Sequence, residues 1–286
     1  MLVPSALAQR DFDAVQIEVV HVADSIYMLT GLGGNIGVSV GDDGVFLVDD
    51  QFAPLTDKIL AAIATLTDKP VRFVVNTHFH GDHVGGNENL GKAGAIIVAH
   101  KNVRSRMSVE QFRESLGTTI SASPPEVLPV ITFNDELNFH WNGEQIRVFH
   151  DVSGHAHTDG DAIVHFVQAN VFHMGDTYFN GMYPFIDVSS GGNVRGLVAV
   201  VDQVLRLSDE HSQFIPGHGP LSDRASLKAY RDMLVEVMRS VQDGIANGLS
   251  LEAIVAEKPT SAYDEEWAGG FIAPDALVGA IYKSLQ

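Results

Sequence analysis

The segment Thr77-His78-Phe79-His80-Gly81-Asp82-His83 sets three imidazoles and a carboxylate side by side, directly after an apolar run from Val71 to Val75. That run, closing on Asn76 and Thr77, predicts a buried strand opening into a loop. In extended chain, residues two apart point to one side, so His78 and His80 present their rings to a common point. Gly81 then allows a sharp change of direction, after which Asp82 and His83 aim at a second point nearby. Neutral imidazole and carboxylate are donors suited to Zn²⁺, so the segment predicts part of a site for two adjacent metal ions.

Further histidines and acids follow in three blocks. Gly154-His155-Ala156-His157-Thr158-Asp159-Gly160-Asp161 precedes the strand-like Ala162 to Phe166. Val171-Phe172-His173-Met174-Gly175-Asp176 reads as a strand ending in an acid, and Phe214-Ile215-Pro216-Gly217-His218 as a short apolar run ending in a histidine. Taken with Thr-His-x-His-x-Asp-His, this series resembles the signature of the metallo-β-lactamase superfamily over roughly residues 16 to 222. The resemblance implies an α/β fold, a four-layer α/β/β/α sandwich with two facing sheets and helices on both outer faces. It also implies that a first zinc is held by His78, His80 and His157, a second by Asp82, His83 and His218, and that Asp176 bridges them. His155 competes with His157 for the first site, and the Thr-x-Gly-Asp context before a strand favours His157. Structural or solvated roles are expected for His21, His140, His150, His165 and His211, whereas His100 and His173 stand at strand ends where a hydrogen bond to a ligand is conceivable.

Composition narrows the chemistry. A chain of 286 residues, 45% hydrophobic and 19% charged, can bury a large core. Its 36 acidic and 18 basic residues give a formal net charge of −18, which repels phosphate backbones and argues against nucleic acid as a partner. No uninterrupted apolar stretch of transmembrane length occurs, so a membrane partner is not expected either. The chain has no cysteine, which removes disulfides, nucleophilic thiols and thiolate ligands together. Many better-known metallo-β-lactamases use a cysteine at the second zinc where Asp176 stands here. The resemblance is therefore closer to glyoxalase II, lactonases and other dinuclear hydrolases of the fold.

Along the chain, strand and helix signals alternate without repeats. Strands are predicted at 16–20 and 26–29, and a hairpin at 36–49 turns on Gly41-Asp42-Asp43-Gly44. Helices are predicted at 54–66, 102–116, 193–207 and 221–248, with a loop at 117–129 and helical tail segments at 251–257 and 274–285. This divides the chain into an N-terminal tail (1–15), a metallo-β-lactamase-like domain (16–248) and a helical C-terminal extension (249–286). Within the tail, Ala6-Leu7-Ala8 followed by Gln9 is similar to the end of a signal peptide, which suggests a periplasmic or secreted protein, with the cytoplasm as alternative. The glycines of Gly31-Leu32-Gly33-Gly34 predict a mobile flap bearing Leu32, and the aromatic run after Asp176 supplies Asn180 and Tyr183 as polar handles on a small-molecule substrate. The expected reaction is opening of a cyclic amide or ester, β-lactams included, by a hydroxide bridging two Zn²⁺ and oriented by Asp82 as the catalytic residue. A glyoxalase II-like thioesterase or a lactonase is the alternative, and an iron-dependent oxidoreductase of the same fold a more distant one.

Overall fold

The computed structural model describes residues 11–113, 117–150 and 155–286. The signal-like Ala6-Leu7-Ala8 lies outside them. Strands β1 (Glu18–Ala23), β2 (Ile26–Thr30), β3 (Ile36–Ser39) and β4 (Val45–Val48) form an antiparallel meander. After helix α1 (Thr56–Ala64), β5 (Val71–Asn76) pairs parallel to β4. The short helices α2 (Gly81–Val84) and α3 (Asn87–Lys92) lead to β6 (Ile96–His100), parallel to β5. Helix α4 (Lys101–Met107) and a hairpin of β7 (Gln111–Arg113) and β8 (Thr118–Ile120) precede β9 (Ile131–Phe133), which completes a seven-stranded sheet.

The second sheet has six strands: β10 (Glu136–Trp141), β11 (Glu144–Phe149), β12 (Ile163–Phe166), β13 (Val171–His173), β14 (Gln213–Ile215) and β15 (Ser222–Asp223). Helix α5 (Val194–Leu207) crosses between β13 and β14, and is capped by Asn193, whose side chain accepts from Arg195 N. Helix α6 (Arg224–Ala246) is capped in the same way by Asp223. The extension folds as α7 (Leu251–Ala256), α8 (Asp264–Trp267) and α9 (Pro274–Ser284).

Burial explains the layering. β3 and β4 are buried on both faces, as strands covered by a sheet on one side and helices on the other must be. Ile26, Met28, Phe46, Val48 and Val75 of the first sheet meet Ile146, Val148, Val164 and Phe166 of the second. The outer face of the first sheet packs on Ile59 and Ile63 of α1, and that of the second on Val201, Leu234 and Leu277 of α5, α6 and α9. The result is the α/β/β/α sandwich. No helix among the described residues is long and apolar enough to cross a membrane.

One element departs from expectation. The helix predicted over 102–116 stops at Met107, and the segment predicted as a loop from 117 contains β8. Val103 and Met107 bury their side chains, whereas Val109 and Phe112 find no core and stand exposed, so the helical spacing has nothing to pack against beyond Met107. What matters for the site is strand polarity. The parallel pairs β4/β5 and β13/β14 bring the carboxyl ends of strands from both sheets to one rim.

Two histidines make the fold sensitive to acid. Burial holds His165 at about 4, with the Arg147 charge adding to it, while its ring stacks on Phe172 at 3.8 Å. Burial likewise brings His100 down to about 4, helped by His150, on which it stacks at 4.2 Å. Because both folded-state values lie below the ordinary 6.5, their stabilisation is complete above pH ~6.5 and is lost as pH falls towards ~4. Thermal unfolding followed from pH 7.5 to 5 is expected to show His165→Phe overtaking the parent progressively as pH drops; a constant difference would contradict the assignment.

Candidate metal centre

The donors stand where strands leave or enter their sheets. His78 and His80 follow β5, Asp82 and His83 lie on α2, Asp176 follows β13 and His218 follows β14. His157 precedes β12. The change of direction after His80 is made by the single helical turn of α2 and not by an unusual glycine conformation: Gly81 lies inside that turn. The turn carries the two donors of the second point, as the sequence spacing required.

Two groups of donor atoms result, each with its atoms within 4.8 Å of one another: His78, His80, His157 and Asp176, and beside them Asp82, His83 and His218. Asp176 faces both. Its Oδ2 lies 3.7 Å from His78 Nε2 and 3.6 Å from His157 Nε2, while its Oδ1 lies 3.1 Å from His83 Nε2 and 3.5 Å from His218 Nε2. Asp82 Oδ2 lies 3.4 Å from His218 Nε2 and 3.8 Å from His83 Nε2. His157 Nε2 and His80 Nδ1 converge at 3.0 Å.

In four of the five histidines the outward nitrogen is taken. His83 Nδ1 lies 2.7 Å from Asp49 Oδ2, which also accepts from Thr77 Oγ1. Thr77 Oγ1 lies 3.1 Å from His78 Nδ1. His157 Nδ1 meets the Phe185 carbonyl at 2.7 Å, and His80 Nε2 meets Asp187 Oδ2 at 3.0 Å. Such partners fix ring orientation and tautomer. The inward atoms contrast with them: His78 Nε2, His83 Nε2 and Asp176 Oδ1 are buried without a hydrogen-bond partner. Buried polar atoms are rarely left so, and cations held in the two groups would satisfy all three. The donor set fits metal ions well.

Electrostatics agree. Burial disfavours charge on Asp176 and Asp82, yet His83 and His218 opposite them hold both carboxyls well below the ordinary range. Burial also opposes charge on His83, and Asp176 and Asp49 outweigh it, pushing the imidazole well above its usual value. His218 is raised to about 9 by Asp176 and Asp82 against its own burial. His78, buried and facing His83, is driven down and held neutral.

Close backbone approach builds the remainder. A Cβ on Gly34 would come 2.1 Å from the His83 ring, and one on Gly217 would come 2.1 Å from Asp176 Oδ1. The glycines predicted to free a flap therefore serve another purpose at Gly34, whose carbonyl also accepts from Gln51 Nε2. Asn35 ties the same loop to the His218 loop by donating to the carbonyls of Pro216 and Gly219.

The predicted substrate residues fare differently. Leu32 is 43% exposed and lines a cleft of about 470 Å³ together with Met182, His218 and Phe271. Asn180 does not offer a handle, since its Nδ2 donates to the Pro220 carbonyl and its Oδ1 accepts from Tyr178, so it holds the His218 loop. Tyr183 is fully buried and donates to Asp264 Oδ1 at 2.8 Å, which makes it an anchor for the extension. His155 is exposed and stands outside both donor groups. His173 turns to the Asn35 carbonyl and His100 to His150, so neither braces a donor. Sequence reasoning missed Asp49, Asp187 and Phe271. Asp49 carried a signal, an acid closing the apolar strand β4 at the rim; Asp187 and Phe271 carried none.

The family model of the metallo-beta-lactamase superfamily matches residues 29–240. The chain belongs to that superfamily. It is 31% identical over 121 residues to the hydroxyacylglutathione hydrolase of Pelagibacter ubique, a match covering 41% of each chain. It is 22% identical to the metallo-beta-lactamase type 2 of Bacillus cereus, over 76% of this chain and 82% of that one. In fold it is similar to the sec-alkylsulfatase Pisa1 from Pseudomonas sp., at TM-score 0.68 and 18% identity, covering 93% of this chain and 50% of that one. Both His/Asp donor groups lie within the residues that the family model matches.

Gly217→Ala should displace the Asp176 carboxylate, because the other atoms that the new Cβ meets, at 2.6 Å, are the backbone of Gly175 and cannot yield. Metal content by atomic spectroscopy is expected to drop well below the parent with the fold kept by circular dichroism; full loading would show that the contact is not restrictive.

Proposed function

We propose that the protein is a dinuclear zinc hydrolase that opens a cyclic amide or ester carrying an apolar substituent, β-lactams and lactones being the candidate classes. The observation that carries this reading is Asp176 standing between two donor groups, with opposed oxygens and an unpartnered Oδ1, beside a cleft of mixed polarity that holds Leu32, Met182 and Phe271. Imidazole and carboxylate donors without a thiolate suit Zn²⁺. When bound, two zinc ions supply an activated water and Lewis acidity towards a carbonyl.

The chain's own residues do the rest. Leu32, Met182 and Phe271 offer an apolar surface for the substituent and displace water as it binds. Phe271 is 62% exposed, and its ring lies 5.6 Å from His218. Asp82 is the open member of the acidic pair, its side chain 29% exposed against 5% for Asp176. Its carboxylate would accept a proton from the attacking water and pass it to the leaving nitrogen or oxygen.

Charge supports the substrate class. Glu18 is the charged carboxylate lining the cleft, and no lysine or arginine lines it among the described residues. A neutral lactone or ester suits such walls better than an anion that needs a cation beside it, which ranks lactones ahead of β-lactams that carry a carboxylate. The second reading, a thioesterase acting on hydroxyacylglutathione, is favoured by the Pelagibacter relative and by Asp176 in a chain without cysteine. Glutathione carries two carboxylates, for which this cleft offers no basic side chain.

A panel of a chromogenic β-lactam, acyl-homoserine lactones and lactoylglutathione tests the choice. Turnover of a lactone or β-lactam should exceed that of the thioester; the reverse order would establish the thioesterase, and iron in the active protein would sink the zinc reading. Asp82→Ala is expected to lower kcat by at least ~10²-fold, while one ion per chain is retained by the histidines of the first group. In the same assay Phe271→Ala should raise KM for long-chain lactones by about an order of magnitude and leave kcat nearly unchanged.

A further inference from the structure

The two donor groups share one brace, since Thr77 links His78 of the first to Asp49, and are otherwise held by different parts of the molecule. His83 of the second group leans on Asp49, at the end of β4 in the first sheet. Two of the three histidines of the first group lean instead on a single loop, residues 184–193, between the second sheet and the C-terminal extension. Phe185 supplies the carbonyl that takes His157 Nδ1 at 2.7 Å, and Asp187 supplies the carboxylate that meets His80 Nε2 at 3.0 Å. The backbone N–H of Asp187 also donates to the His157 carbonyl at 3.0 Å. One residue thus touches both histidines, through its side chain and through its main chain.

Asp187 is itself built in. It is buried, and its Oδ1 accepts from Ser189 Oγ at 2.6 Å and from the Ser190 N–H at 3.2 Å, leaving Oδ2 for the imidazole. Its carbonyl accepts from the Gly192 N–H, where a Cβ would come 2.8 Å from that oxygen. The extension fastens the loop at both ends. Tyr183 donates its hydroxyl to Asp264 and its N–H to the Trp267 carbonyl, and Asn193 Nδ2 donates to the Ser284 carbonyl at 2.7 Å.

We propose that Asp187 is a positioning residue that sets the affinity of the first metal site selectively, by holding His80 with Nε2 protonated and Nδ1 turned inward, on a loop clamped by the C-terminal extension. A carboxylate acceptor raises the basicity of the imidazole it holds and fixes its rotation, and loss of such a partner costs about 10–100-fold in metal affinity. The second group keeps its own brace at Asp49. The inference rests on the dinuclear reading given above.

The test is competitive titration of the ion-free protein with zinc against a chromophoric chelator, for the parent, Asp187→Ala and Asp187→Asn. The parent is expected to take up two ions. Asp187→Ala should weaken one of them by about 10–100-fold and leave the other within about twofold. Asp187→Asn, which keeps an acceptor oxygen without the charge, should show a smaller loss at the same site, and carries the test if the alanine variant fails to fold by circular dichroism. Two unchanged affinities in the variants, or equal weakening of both ions, would overturn the inference while leaving the dinuclear reading intact. A parent that takes up a single ion, weakened in Asp187→Ala, would refute the dinuclear reading and support the role of Asp187; a parent that takes up none would overturn both.

Discussion

Asp176 turns one oxygen towards His78 and His157 and the other towards His83 and His218, and the molecule is organised around keeping it there. A buried carboxylate among five imidazoles is costly without compensation, because desolvation of each group must be met by a specific partner. The fold meets that demand from two directions. Asp49 at the end of β4 and Thr77 after β5 secure the first-sheet side, and the loop at 185–187 secures the second-sheet side. Gly217 completes it by leaving room at the Asp176 carboxylate that any side chain would fill.

This explains why the sandwich places chemistry at its rim. Parallel pairs β4/β5 and β13/β14 end on the same side, so strand ends from both sheets deliver short loops to one place. The loops need not be long, since the strands have already covered the distance. A scaffold with a core shared between sheets, through Phe46, Val148 and Phe166, holds those ends in register with little freedom. The cleft above the centre is more loosely made, from exposed Leu32 and Phe271, which suits a surface that chooses among substrates.

The C-terminal extension has a double part in this arrangement. Its helices cover the second sheet through Leu277, Val278 and Ile281, and its turns fasten the loop that braces His80 and His157. Phe271, between α8 and α9, reaches the cleft on the side of His218. Packing on the second sheet, fastening of the bracing loop and a wall of the cleft therefore meet in a segment that contributes no residue to either donor group.

Much of the centre was legible in the sequence because local geometry decides it. The spacing of His78, His80, Asp82 and His83 is short enough that a strand end and one turn determine which donors converge, and the β5 apolar run marks where the strand stops. The hydrophobic runs likewise marked β3, β4 and α5, whose burial depends on their own periodicity. Partners distant in sequence were beyond that reach. Asp187 lies 107 residues from His80, and only the stacking of one sheet on the other brings its carboxylate to that ring. Tyr183 and Asn180 looked like substrate handles because a polar group beside an aromatic run is ambiguous until its hydrogen-bond partners are known; Asp264 and Pro220 supplied them. Residue chemistry and spacing determined the donors, while the packing of two sheets and an extension decided what braces them and what covers the cleft, since contacts between distant segments exist only once the layers have closed.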